Sequence, residues 1–443
     1  MRVRHPHRSI LRPSRSRLIA GAVTAAATVS MLAPLTANAQ SAALGSITGS
    51  LDAGSTALGP ATGSLGSLGS ASGSSTTPPE DRYPDEPLPV GPEVEFEVLH
   101  EGLSIPWDVV SDPDGVIVTG ERGTGRVIAI RPGGSITEVE ADFGNLFAGG
   151  ESGLMGIALA HNFDTTREVY TCHSDADAGD SRVTAWRAAQ DWSALEDPTV
   201  IVPGIARQNI GHHSGCRILA HSDGTLYIGT GDTFHGSVPQ DLQSLGGKVL
   251  HVERDGSPTQ TPARIQGANP RIYTYGHRNV QGLALQPGTG RIFSAEHGTH
   301  RDDEINLLQP GGNYGWDPLL AGINERDHDD SSPMTNLDKH PNAVKATWSS
   351  GDPTLATGGI TFLDHSSWGE WNGALAVAML KTKQIALLTL SDDGKQVIKV
   401  SSILPGEIGR IRSLTREDGG TLLATTSNGA GKDLVVRIRP VGE

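Results

Sequence analysis

The stretch NIGHHSGCRILAHSDGTLYIGTGD, residues 209–232, sets His212 and His213 directly before an apolar run and closes on Asp232. A histidine in such a place serves as a proton acceptor, a metal ligand or a satisfied structural residue. Packing would favour an apolar side chain just ahead of a strand. Asp232 ends the returning strand of the same hairpin, near enough to accept a ring N–H and fix the tautomer, and both facts favour chemistry at these imidazoles. Zinc would require a third ligand. His235 and His297 are available for it, but no H-E-x-x-H or Cys-x-x-Cys spacing accompanies them.

Two further groups of residues bear on chemistry. Glu151 stands in GGESGLMG, Arg278, Asn279 and Gln281 in YGHRNVQG, Lys381 in MLKTKQ, and Arg410 and Arg412 in GRIRSL. The second group is the acidic run Asp302, Asp303 and Glu304 in EHGTHRDDEINLLQPGGNYGW. Carboxylates beside a glycine-rich turn suit an oxygen-ligand cation such as calcium, or are simply a solvated turn; the twelve-residue helix–loop–helix calcium pattern is missing.

Positioning falls to strands, because no long stretch shows apolar residues at helical spacing. Six times a short apolar strand, an Asp- or Gly-bearing turn and a second Val/Ile/Leu/Thr-rich strand recur, as in WDVVSDPDGVIVTGERGTGRVIAI, RILAHSDGTLYIGTGD and GLALQPGTGRIFSAEHG. Such regular reuse of one hairpin predicts an all-β fold, a six-bladed β-propeller with four-stranded antiparallel blades. A sandwich or jelly roll would not repeat it so evenly. In a propeller the residues just before each innermost strand meet at one rim of the central channel, and the second strand returns to that rim. His213, Glu151, Arg278, Arg410, Arg412 and Lys381 should therefore converge there. Cys172 and Cys216, the only two cysteines, fall at the same rim on neighbouring blades, where a disulfide is sterically plausible and two buried thiols are the alternative.

The chain ends bound the folded part. Residues 1–17 carry six arginines and no acid, and LIAGAVTAAATVSMLAPL followed by ANA at Ala39 has the form of a secretory signal over 1–39. Residues 40–89 are rich in Gly, Ser, Ala and Thr and read as a disordered linker; residues 90–443 form one domain. The formal charge is −15 for 443 residues, and removing six arginines leaves −15 − 6 = −21 for 40–443. So acidic a surface disfavours nucleic acid and anionic membranes, and no stable membrane insertion is expected after cleavage. Four cations at one rim of such a chain call for a polyanionic ligand.

The ordered set HHSGCRILAHSDGTLYIGTGD, GGKVLHVERDGS, YTYGHRNVQGLALQP, EHGTHRDDEINLLQPGGNYGW, MLKTKQ and GRIRSL resembles the soluble pyrroloquinoline quinone (PQQ) dependent glucose and aldose sugar dehydrogenases, from about Leu103 to Pro440. The resemblance implies a six-bladed propeller holding PQQ and calcium in the channel mouth. It implies that His213 is the base, His212 a substrate neighbour and Asp232 the group steadying the base. Arg278, Asn279, Lys381, Arg410 and Arg412 would hold PQQ, with Arg278 also polarising it. Backbone carbonyls of Gly298 and Thr299 would hold the cofactor-bound calcium, and Glu304 and Tyr314 a second, structural calcium. Glu151 and Gln281 would face the substrate; Glu151 stands where glucose dehydrogenases often carry Gln, Thr299 where Pro is common, and Cys216 makes GCR of the usual GGR. Trp348 lies near the expected aromatic wall and is given no role. The implied reaction oxidises an aldose at C1 to a lactone in an exported enzyme, secreted or in the cell envelope, as monomer or homodimer. Electrons pass to an external acceptor, and no C-x-x-C-H haem motif occurs. Two other readings are a calcium-dependent lactonase, which would leave the Lys/Arg/Asn set unexplained, and a non-catalytic propeller binding glycans or proteins.

Overall fold

Val, Ile, Leu and Thr segments separated by Gly- and Asp-bearing turns become strands wherever they occur in the computed structural model, which describes residues 88–319 and 328–442. The expected signal segment and the expected linker up to residue 87 lie outside the described residues. Six four-stranded antiparallel sheets form, each a blade of a propeller. The innermost strands are Pro106–Ser111, Leu154–Leu159, Gly215–Ala220, Val280–Leu285, Thr357–Phe362 and Ile411–Arg416. Each touches the next, and the last touches the first. The ring is closed by the first described strand: Val94–Leu103 pairs antiparallel with Asp433–Pro440 as the outermost strand of the sixth blade.

No single core holds the fold. Among the described residues six apolar clusters are present, one at each junction between neighbouring blades; Met155, Tyr170 and Val183 meet Ile218, Ile228 and Leu250 between the second and third, for example. The middle strands are therefore buried on both faces, which explains why their sequences run apolar instead of alternating. Cys172 and Cys216 form a disulfide across that same junction, with Cα atoms 5.5 Å apart.

One irregularity recurs in all six blades. The pairing of the inner strand with its neighbour slips at the inner strand's first residues, skipping Trp107, Cys216, Gln281 and Arg412 singly and Met155–Gly156 and Gly358–Gly359 in pairs. Such bulges re-aim a side chain at the end of a strand. Glycine is needed where the inner strands crowd each other: a Cβ on Gly156 would sit 2.4 Å from the Cys216 carbonyl oxygen, and one on Gly358 would sit 2.5 Å from that of Arg412.

Candidate active site

The mouth is built from the residues that precede or open the inner strands. His213, just before Gly215–Ala220, holds a left-handed backbone (φ 46°), a conformation non-glycine residues rarely adopt. The opposite strand end must fit beneath it: a Cβ on Gly231 would lie 1.9 Å from the His213 carbonyl oxygen. The next residue is Asp232, whose Oδ1 accepts Nδ1–H of His213 at 2.6 Å, with both side chains buried. Donation from Nδ1 leaves Nε2 as the ring's free acceptor. Asp232 is further held by the Phe234 backbone N–H (2.8 Å), by Nε1 of Trp316 (2.7 Å) and by Nε2 of His328 (3.0 Å). Burial opposes its charge, yet the His213 and His328 imidazoles and their hydrogen bonds hold its carboxyl far below the usual range.

Beside this pair lies a continuous polar network drawn from four blades. Glu151 Oε2 accepts from Nδ2 of Asn279 at 2.9 Å, and Oδ1 of Asn279 accepts the Gly215 backbone N–H and Nε2 of Gln281. Gln281 Oε1 in turn accepts from Nη1 of Arg412 at 3.1 Å. Burial works against the Glu151 charge, but His213, His297, the Asn279 hydrogen bond and Arg412 lower its pKa. Arg412 is pushed down to about 10, first by burial and then by Arg122, Arg410 and Arg217 against the pull of Glu151. Arg278 rests its backbone N–H on Glu296 and donates from Nη1 to the His297 carbonyl at 3.1 Å. The Nε atoms of Arg278 and Arg412 and Nε2 of His297 are buried without a hydrogen-bond partner among the described residues. Buried, unspent donors on clustered cations fit a polyanionic ligand, because leaving such groups desolvated and unpaired is costly.

The acidic run divides into separate roles. Asp303, fully buried, accepts the backbone N–H groups of Gly298, Leu355 and Ala356 and so shapes the turn. Gly298 is required there, since a Cβ would meet the Arg301 carbonyl oxygen at 2.0 Å. Among the described residues no hydrogen bond reaches the carbonyls of Gly298 or Thr299, so both are open to a cation; calcium needs six to eight oxygens, the remainder coming from a ligand and water. Glu304 is buried opposite Glu296, and desolvation with that neighbouring carboxylate raises its pKa well above normal. A cation would relieve that repulsion. The Tyr314 hydroxyl is already used, donating to the Leu307 carbonyl and accepting from Gln309 N–H, which leaves only its backbone for a metal.

Of the residues expected at the rim, the structure joins His213, Asp232, Glu151, Asn279, Gln281, Arg278 and Arg412 into this site. Arg410 lies near Arg412 and donates from Nε to the Ser427 carbonyl. Lys381 and His212 are exposed and make no side-chain hydrogen bond among the described residues; the His212 ring lies 6.1 Å from Phe234. His235 meets Thr233 and His297 interacts only through charge with Glu151 and Arg412; neither is grouped with His213 and Asp232 as a third zinc ligand. His328 instead is, with its ligand atom and those of His213 and Asp232 within 4.8 Å. Trp348 packs in the core between the fourth and fifth blades. Sequence reasoning missed His328, Phe234 and Trp316; only Trp316 had a signal, as the last residue of the quoted NYGW. A cavity of about 440 Å³ opens at the opposite end of the inner strands, lined by Asp108, Arg217, Leu219, Phe362 and Arg416, and is separate from this mouth.

Comparison with known proteins follows the same outline. Residues 103–437 match the glucose/sorbosone dehydrogenase family. The aldose sugar dehydrogenase YliI of Escherichia coli is 28% identical over 354 residues, covering 78% of this chain and 93% of the relative. Quinoprotein glucose dehydrogenase B of Acinetobacter calcoaceticus is 28% identical over 321 residues, covering 65% of this chain and 64% of that protein. The PQQ-bound aldose sugar dehydrogenase of Streptomyces coelicolor superimposes with a TM-score of 0.63 at 27% identity, over 79% of this chain and 99% of that one. With the match running from the end of the closing strand nearly to the last, this chain belongs to the glucose/sorbosone dehydrogenase family.

Proposed function

We propose that this chain is an exported quinoprotein that oxidises an aldose at C1 to the lactone, using PQQ with calcium and passing electrons to an external acceptor. The observation that carries the reading is the buried His213–Asp232 pair beside Arg278 and Arg412, whose Nε–H groups have no hydrogen-bond partner among the described residues. Bound PQQ would supply a calcium-polarised carbonyl able to accept hydride. Everything else is work for the chain's own residues. An anomeric hydroxyl is too weakly acidic to ionise at neutral pH, so Nε2 of His213 takes its proton while Asp232 stabilises the imidazolium that results. Arg278, Asn279, Arg410, Arg412 and Lys381 would bind the carboxylates of the cofactor, and Arg278 would also stabilise negative charge developing beside it. Gly298 and Thr299 would offer carbonyls to the calcium, and Glu304 a carboxylate to a second one. Glu151 and Gln281, with His212 at the rim, would meet the sugar hydroxyls, an anionic lining that favours hydroxyl donors over sugar acids.

The full chain, supplied with PQQ and calcium, should retain the quinone's absorbance and reduce an artificial dye with at least one aldose from a panel. His213→Gln should lower turnover by about 10²–10⁴ while leaving PQQ bound. Loss of neither activity nor cofactor in that variant, or a wild type that holds no quinone, removes the proposal.

A further inference from the structure

His328 belongs to no motif and comes from the connection between Glu304–Leu307 and Trp348–Ser349, on the fourth blade, yet it ends against the histidine pair of the third. Its side chain is 1% exposed. The ring stacks on Phe234, with centroids 4.2 Å apart and planes at 20°, and lies 5.6 Å from the His213 ring. Nε2 is hydrogen-bonded to Oδ2 of Asp232 at 3.0 Å, whereas Nδ1 lies 3.1 Å from Oδ1 of Asp330 without forming a hydrogen bond. Asp330 in turn stands 3.9 Å from Nη2 of Arg278. Four donors thus reach the Asp232 carboxylate: His213 and Phe234 at Oδ1, Trp316 and His328 at Oδ2. A carboxylate has about four lone-pair sites, so it is saturated and has one orientation that satisfies every neighbour.

We propose that His328 is a positioning residue: with Trp316 it holds Oδ2 of Asp232 so that Oδ1 stays on Nδ1 of His213. The metal alternative for the three residues is disfavoured because both imidazoles are already hydrogen-bonded to the carboxylate a metal would need. The inference rests on His213 being the base, but the link itself exists without cofactor or sugar. Charged groups facing it are Asp232 and Asp330 on His328, Glu151 and Asp232 on His213, Lys248 toward Asp232, and Arg278 toward Asp330. Without His328, Oδ2 of Asp232 loses one of its two donors and the carboxylate is free to turn away from Nδ1 of His213.

Two variants test it in the full chain. His328→Phe keeps the stacking on Phe234 and removes both nitrogens; His328→Gln keeps one N–H donor. In cofactor-free, histidine-labelled protein, the downfield proton of His213 Nδ1 should broaden or move in His328→Phe and return in His328→Gln. In the loaded enzyme, His328→Phe should lower kcat roughly tenfold to a hundredfold and leave KM for the aldose within about twofold, with His328→Gln recovering most of the loss. An unchanged Nδ1 resonance in His328→Phe, or no recovery in a folded His328→Gln, overturns the inference. A responsive resonance in a protein that reduces no dye would instead refute the proposed function and leave the link standing.

Discussion

His173 is a buried histidine outside the proposed site, 3% exposed and edge-on to Phe143 with centroids 5.2 Å apart. Burial pushes its pKa down to about 4, with Arg182 acting in the same sense and Asp175 and Asp180 opposing. Unfolded histidine titrates near 6.5, so between pH 6.5 and 4 the unfolded chain holds a proton that the folded one lacks, and stability falls as pH drops through that window. His173→Phe, which retains an aromatic edge for Phe143, should flatten this fall by about 2–3 kcal/mol. Urea midpoints measured against pH check it; an identical slope in the variant counts against the assignment. At this scale the sequence was informative where partners are near in the chain. Asp232 lies 19 residues from His213, on the returning strand of one hairpin. His328 lies 96 residues from Asp232, beyond what local register can report.

The elements that carry the site are inner strands with a slipped first pairing and the loop Thr233–Gly247. Gln281 and Arg412, both site residues, and Cys216, half of the disulfide, all occupy the bulge, so one backbone irregularity repeated around the ring aims chemistry at the mouth in some blades and packing in others. The repeat of hairpins was legible in the turn residues; the bulges were not, because they depend on how closely the inner strands approach. The loop is anchored by Lys248, fully buried, whose Nζ donates to the carbonyls of Val238, Pro239 and Gly246 at 2.8, 3.0 and 2.6 Å. Burial lowers its pKa to about 7, against the pull of Asp241 and Asp232. Lys248→Met would strand three buried carbonyls, and a loss of about 3 kcal/mol or more is expected. Chemical denaturation should register it, with faster amide exchange across residues 233–247; a variant as stable as the parent would show that the ammonium contributes nothing.

For the propeller as a whole, closure rests on the pairing of the first described strand with the last. Val94–Leu103 covers the edge of Asp433–Pro440, and Asp433 also accepts the Ile105 backbone N–H through Oδ2 at 2.8 Å. A chain beginning at residue 88 should behave as the parent does, whereas one beginning at 104 exposes the edge LVVRIRP and should aggregate or unfold without cooperativity. Size-exclusion profiles and thermal melts decide between these outcomes, and a cooperative, monodisperse 104 variant would show that closure is dispensable. The sequence by itself determined the strand-turn rhythm, the number of blades, the side of the ring on which chemistry gathers and the His213–Asp232 pair, since all of these follow from local pattern and from the periodicity of one repeated unit. Tertiary structure alone decided which cations reach the network, that Trp348 is core, that Phe234, Trp316 and His328 enclose the His213–Asp232 pair, and which strand closes the ring. Those outcomes depend on contacts between blades, where side chains distant in sequence meet across packed junctions that no local spacing encodes.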